Sequence, residues 1–140
     1  WGVDYGLLGR DGMLLSSPVH YRDSRTEGML KKAFSRMDRE RLYEITGSQF
    51  MEINTAFQLM AEQEYREELL EQAESMLLMP DLFSYFLSGE MGSEYTIAST
   101  TQMLDAVKKD WSGAGLEGGT SLTDIETRAH AGNAAGKSER

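Results

Sequence analysis

The dipeptide Asp11-Gly12 constrains this chain most. It lies between two apolar runs, residues 1–8 and 13–15. Asp-Gly supplies the positive φ that a tight hairpin turn needs. Gly9-Arg10-Asp11-Gly12 is therefore predicted to join an antiparallel pair. The first run alternates imperfectly and places Val3, Tyr5 and Leu7 on one face of a strand over 1–8. The return strand covers 13–15, and Pro18, Val19 and His20 start a third short strand.

Helical signals follow. Ser24 and Glu27 have the S-x-x-E spacing of a capping box, in which each side chain satisfies an orphan amide of the first turn. Met29, Leu30, Ala33, Phe34 and Met37 then share one stripe. Asp38 is the expected cap of a second helix carrying Leu42, Tyr43 and Ile45, with Gly47 as its left-handed terminus. Asn54 caps a third, with Phe57, Leu59 and Met60 available for burial, and Leu69, Leu70 and Ala73 mark a fourth. Residues 75–79 read as a short buried strand. Pro80 suits the first turn of a helix bearing Leu82, Phe83, Phe86 and Leu87, which stops at Gly89. A short helix at 95–100 and a strand at 102–104 complete the pattern. Strands first, then helices interleaved with single strands, predict an α/β or α+β fold with mixed pairing. From residue 113 onward Gly, Ala, Ser and Thr dominate, and such composition does not offset its ordering entropy. Residues 113–140 are expected to be a disordered tail.

Composition excludes several classes. The 140 residues suffice for one core. A formal net charge of −9 is wrong for a polyanionic duplex. The absence of cysteine removes disulfide and thiolate chemistry. No apolar run approaches the roughly 18 residues of a membrane span, and no basic-then-apolar leader is present. The expectation is a soluble cytoplasmic protein. The nine methionines lie among leucines at helical spacing, as core filling does.

Candidate sites are few. "AGNAAGKS" falls one residue short of a phosphate loop between Gly132 and Gly136 and has no strand leading in. His20 and His130, the only histidines, lack metal-ligand spacing. The carboxylates of "EQEYREELLEQAE" read as a solvated helix face. "HYRDSRT" admits two readings: a salt-bridged turn before a helix, or a polar pocket walled by Tyr21 at a strand end. "TGSQFMEINTAFQL" is similarly polar and aromatic, and Asn54 is there either a plain cap or a pocket residue.

Five segments, "WGVDYGLL", "VHYRDSRT", "TGSQF…NTAFQL", "LLMPDLFSYFLSGE" and "SEYTIASTTQMLD", occur in the order and spacing of one family. Together they resemble the N-terminal domain of the FGGY carbohydrate kinases, over residues 1–111. "WGVDYG" and "YRDSRT" resemble the branch acting on L-rhamnulose over those acting on glycerol or xylulose. The resemblance implies a partial ribonuclease-H-like (actin-like ATPase) α/β domain, a mixed sheet with packed helices, incomplete at both ends. It makes 1–112 part of the sugar-binding domain and 113–140 divergent.

The implied reaction moves the ATP γ-phosphoryl group to the 1-hydroxyl of L-rhamnulose with Mg2+. Gly2 matches a sugar-contacting glycine, where a bare backbone lets the sugar approach. Trp1 beside it offers an apolar face. Tyr21 matches an aromatic lining the sugar pocket, and Asn54 falls in another wall, where Ile53 departs from the usual aromatic. The family's D-x-G-x-x-x-x-R phosphate hairpin and its aspartate base lie outside the matched stretch. No catalytic, cofactor-binding or metal-binding residue is therefore assigned here. ATP and Mg2+ are expected of a longer enzyme, and this piece is expected to be inactive alone. The alternatives are a non-catalytic sugar- or protein-binding module, or part of a xylulose or fuculose kinase.

Overall fold

A computed structural model describes residues 1–112 of the chain. The expectation for 113–140 lies outside the described residues. The predicted turn is present: Gly12 adopts φ +74 and its N–H donates to Gly9 O at 2.9 Å. The strand before it is shorter than predicted. β1 is Tyr5–Leu8, because the Asp4 N–H folds back on Trp1 O at 3.1 Å and turns residues 1–4 away from a ladder. The return run shrinks to a single bridge, Leu8 to Leu14, with Leu15 N–H donating to Leu7 O. Residues 18–20 form no strand; Pro18 has no N–H to offer a ladder.

β1 pairs antiparallel with β2 (Ser75–Leu78), in the register Tyr5–Leu78, Gly6–Leu77, Leu7–Met76, Leu8–Ser75. Both faces of this pair are covered, so its residues run apolar without alternation. Tyr5, Leu7, Met76 and Leu78 join the main core, and Leu8 and Leu77 meet Leu82 on the other side. Gly6 is closely packed there. A Cβ would lie 2.7 Å from Leu14 Cδ2 and 2.9 Å from Leu82 Cδ2.

The helices are α1 (Met29–Arg36), α2 (Arg39–Thr46), α3 (Thr55–Tyr65), α4 (Glu67–Gln72), α5 (Met79–Ser88) and α6 (Tyr95–Ala98). The Ser24/Glu27 capping box does not form. Asp23 accepts from Arg25 N–H and caps a 3₁₀ turn over Ser24–Thr26, and Gly28, at φ +80, then breaks the path into α1. The Gly28 N–H goes instead to Glu52 Oε1 at 3.2 Å. Local spacing was outweighed by a glycine that redirects the chain.

Asp38 does cap α2, accepting from Glu40 and Arg41 N–H, and Gly47 and Gly89 end α2 and α5 in the left-handed region. Asp38→Ala should lower unfolding free energy by about 1 kcal/mol, read from urea titration with an unchanged slope.

α3 is the central element. Its first eight residues are all buried, and Phe57 and Leu59 are wholly screened. A second antiparallel pair, β3 (Leu104–Asp105) with β4 (Asp110–Trp111), closes the described chain. It starts later than predicted because Gln102 is left-handed at φ 66 and points its amide at Thr46 Oγ1 and Ser48 O. Among the described residues both ladders are antiparallel, so the expected mixed pairing is not found in them. No helix among them is long and apolar enough to cross a membrane.

Candidate functional site

The four residues singled out from the sequence lie in different surroundings. Trp1 is 60% exposed and stacks on Phe83 of α5, with centroids 5.7 Å apart. Gly2 packs against α6, where a Cβ would meet Ile97 Cδ1 at 3.0 Å. Asn54 is buried at the N-terminus of α3, yet its side chain makes no cap bond. Its Oδ1 accepts from Met51 N–H at 2.9 Å and its Nδ2 donates to Thr100 O at 3.0 Å. Gly2 and Asn54 thus both adjoin the segment 97–100. Tyr21 is partly buried, beside His20 at 4.4 Å and under the Arg22 guanidinium at 5.4 Å.

The stretch that carries Tyr21 reaches the others through a polar string. Arg25, four residues on, donates from Nη2 to Gln58 Oε1 at 3.0 Å. Gln58 Nε2 donates to Val3 O at 3.2 Å, where Thr55 Oγ1 also donates at 2.9 Å. Glu62 lies one turn further along α3, 2% exposed, between Arg25 at 3.5 Å and Arg66 at 2.5 Å. This corrects the reading of "EQEYREELLEQAE" as solvated throughout. Two guanidinium groups hold the Glu62 carboxylate in the interior, where an unpaired charge is not tolerated. Burial, with Glu62 adding to it, pushes the nearby Tyr5 hydroxyl well above its ordinary pKa. The signal was available: Asn54, Gln58 and Glu62 fall four apart and share one face of a helix.

The start of α6 is fixed separately. Glu94 accepts from Thr96 and Ile97 N–H and from the Thr96 hydroxyl. These bonds, the hydroxyl first, hold its pKa below the usual carboxylate range. An open cleft of about 920 Å³ is lined by Arg39, Tyr43, Gln49 and Phe50 among others. It adjoins the loop before Asn54 but includes none of the four residues.

This helix-centred arrangement, with its ordered segments, defines a class. The FGGY family of carbohydrate kinases, N-terminal domain, matches residues 2–126, and the chain belongs to that family. Among solved structures it is similar to gluconate kinase from Lactobacillus acidophilus, with a TM-score of 0.77 at 19% identity, covering 90% of this chain and 25% of that one. That likeness gives the fold, the actin-like ATPase architecture in part.

The particular relatives are rhamnulokinases. The chain is 44% identical over 111 residues to that of Oceanobacillus iheyensis, covering 79% of this chain and 24% of the relative. It is 42% identical over 137 residues to that of Enterobacter sp. (strain 638), covering 97% and 28%. The chain therefore spans about a quarter of the length of the relatives it matches. The similarity also continues past residue 111, where the resemblance read from the sequence ends.

Proposed function

We propose that residues 1–112 are the sugar-facing part of a cytoplasmic, ATP-dependent kinase that phosphorylates the 1-hydroxyl of L-rhamnulose. The observation that carries this reading is the 44% identity to a rhamnulokinase over 111 residues, 79% of this chain. Supporting it, Gln58 of α3 bonds to Val3 after Trp1 and Gly2, to Arg25 after Tyr21, and to Ile53 before Asn54.

In such a transfer the protein chiefly positions the reacting groups and stabilises charge. Gly2 would present its backbone amide and carbonyl to the sugar, while its side-chain position is taken by Ile97 of α6. The Trp1 and Tyr21 rings would face the C–H surfaces of the sugar. Asn54, its amide engaged with backbone, would act by holding the loop to Thr100. The family chemistry requires ATP with a divalent metal, which supplies charge neutralisation at the transferred phosphoryl group. Among the described residues no three His, Asp or Glu side chains gather as metal ligands. These residues do not fit a metal site, and no step is assigned to one.

The test is a chimera in which this chain replaces the matched quarter of the Enterobacter rhamnulokinase. It should turn over L-rhamnulose. In it, Gly2→Trp should raise the sugar KM roughly tenfold or more and the ATP KM less than about twofold, as expected for a lost ground-state contact. An unchanged sugar KM would remove Gly2 from the site, and a chimera selective for another sugar would remove L-rhamnulose.

A further inference from the structure

Gln58 is wholly buried, and every hydrogen-bonding group of its amide is in use. Oε1 accepts from Arg25 Nη2 at 3.0 Å, while Nε2 donates to Val3 O at 3.2 Å and to Ile53 O at 2.9 Å. A primary amide has one acceptor oxygen and two N–H donors, so each partner meets a group of the right sense. The partners belong to three separate stretches. Val3 follows Trp1 and Gly2, Arg25 sits in the turn after Tyr21, and Ile53 precedes Asn54.

We propose that Gln58 is a positioning residue that fixes these three stretches relative to one another and so sets the sugar affinity of the surface they form. The second half of this statement rests on the sugar-kinase reading; the first does not. A residue needed only to fill the core would pack equally well as an apolar chain of similar length. Gln58 instead offers two donors to carbonyls and one acceptor to a cation, and no other side chain of that length does so. Glutamate in its place keeps the acceptor for Arg25 but turns lone pairs toward the Val3 and Ile53 carbonyls. Gln58→Glu should therefore release the Gly2 and Asn54 stretches while holding the Tyr21 stretch. Arg25→Met should do the reverse, leaving Glu62 its partner Arg66.

The experiment is residue-resolved amide hydrogen exchange on the full 140-residue chain. Asp4 and Asn54 N–H report two stretches through their bonds to Trp1 O and Met51 O, and Asp23 and Glu27 N–H report the third through His20 O and Ser24 O. In Gln58→Glu, Asp4 and Asn54 should exchange roughly tenfold faster, one hydrogen bond's effect, with Asp23 and Glu27 within about threefold of wild type. In Arg25→Met the two pairs should swap. A uniform acceleration that also includes the β1–β2 amides, or no change at all, would overturn the proposal. If Gln58→Glu does not fold, Gln58→Met and Arg25→Met carry the same comparison, with Gln58→Met expected to speed all four reporters.

In the chimera, Gln58→Glu should raise the sugar KM about tenfold and leave the ATP KM within about twofold. The expected exchange pattern with an unmoved sugar KM would overturn the role in affinity. A wild-type chimera without sugar turnover would count against the kinase reading, while the exchange pattern would still judge the linkage.

Discussion

The 140-residue chain alone is expected to transfer no phosphoryl group from ATP to L-rhamnulose. Acceleration of phosphoryl transfer comes from groups assembled around the γ-phosphate, which position it and neutralise its charge. The described residues gather no set of metal-holding carboxylates. The phosphate hairpin and aspartate base that the family resemblance implies lie outside the matched segments. The proposed sugar-facing wall would contribute binding, and binding alone leaves the chemical step near its uncatalysed rate. The assay is ADP release with and without L-rhamnulose, using the chimera as the positive control. The chimera should exceed the chain by at least about a millionfold, the low end of enzymatic acceleration. Sugar-dependent ADP release by the chain alone would show that it carries a complete catalytic centre.

The parts of the fold that were legible in the sequence are those decided within a few residues. Asp11-Gly12 makes its turn, Asp38 caps α2, and Gly47 and Gly89 take the left-handed conformation that stops a helix. β2 is found at Ser75–Leu78, inside the stretch read as a buried strand. Where local signals failed, a longer-range contact or a neighbouring residue outweighed them. Ser24 and Glu27 have capping-box spacing, but Gly28 redirects the chain before a helix can begin. Of the four apolar residues Leu82, Phe83, Phe86 and Leu87 that α5 bears, only Leu82 is buried, and Leu87 is 89% exposed. Periodicity marks a face but does not name what covers it.

The candidate site shows the same division. The motifs around Gly2 and Tyr21 single them out as candidates but give no sign of the connection between their stretches through Arg25 and Gln58. That connection spans residues 3, 25, 53 and 58, and no local pattern specifies it. Glu62 was misread for a related reason. A carboxylate amid charged residues looks solvated until the fold brings Arg25 from 37 positions away to its side. Asn54 was placed correctly at a helix start, but its amide serves the loop and Thr100 rather than the helix.

Replacing Asp81 by Asn is expected to stabilise the chain at pH 8 and to leave it nearly unchanged at pH 4. Asp81 lies in the first turn of α5 and is 6% exposed. Its Oδ1 accepts from the Glu94 N–H at 3.2 Å, while Oδ2 has no hydrogen-bond partner. Burial raises its pKa from 3.8 to about 6; the Glu94 N–H works against the rise and the Glu94 carboxylate adds to it. Well below pH 3.8 the carboxyl is protonated in both folded and unfolded chains, and its burial carries no charge penalty; at about pH 4 the penalty is only beginning. As the pH climbs toward 6, the unfolded chain releases the proton while the folded chain retains it, so stability falls; above about 6 the loss is complete. A shift of this size corresponds to on the order of 3 kcal/mol at pH 8. Asparagine keeps the acceptor for Glu94 N–H and stays neutral throughout, so the variant should lack this decline. Urea unfolding at pH 4, 6 and 8 reads the difference directly. It should grow across that interval, and a difference that stays constant with pH would show that the Asp81 carboxyl titrates as it would in water. The Glu94 N–H bond to Asp81, which asparagine retains, ties the start of α6 to α5, and α6 carries the Ile97 side chain against Gly2.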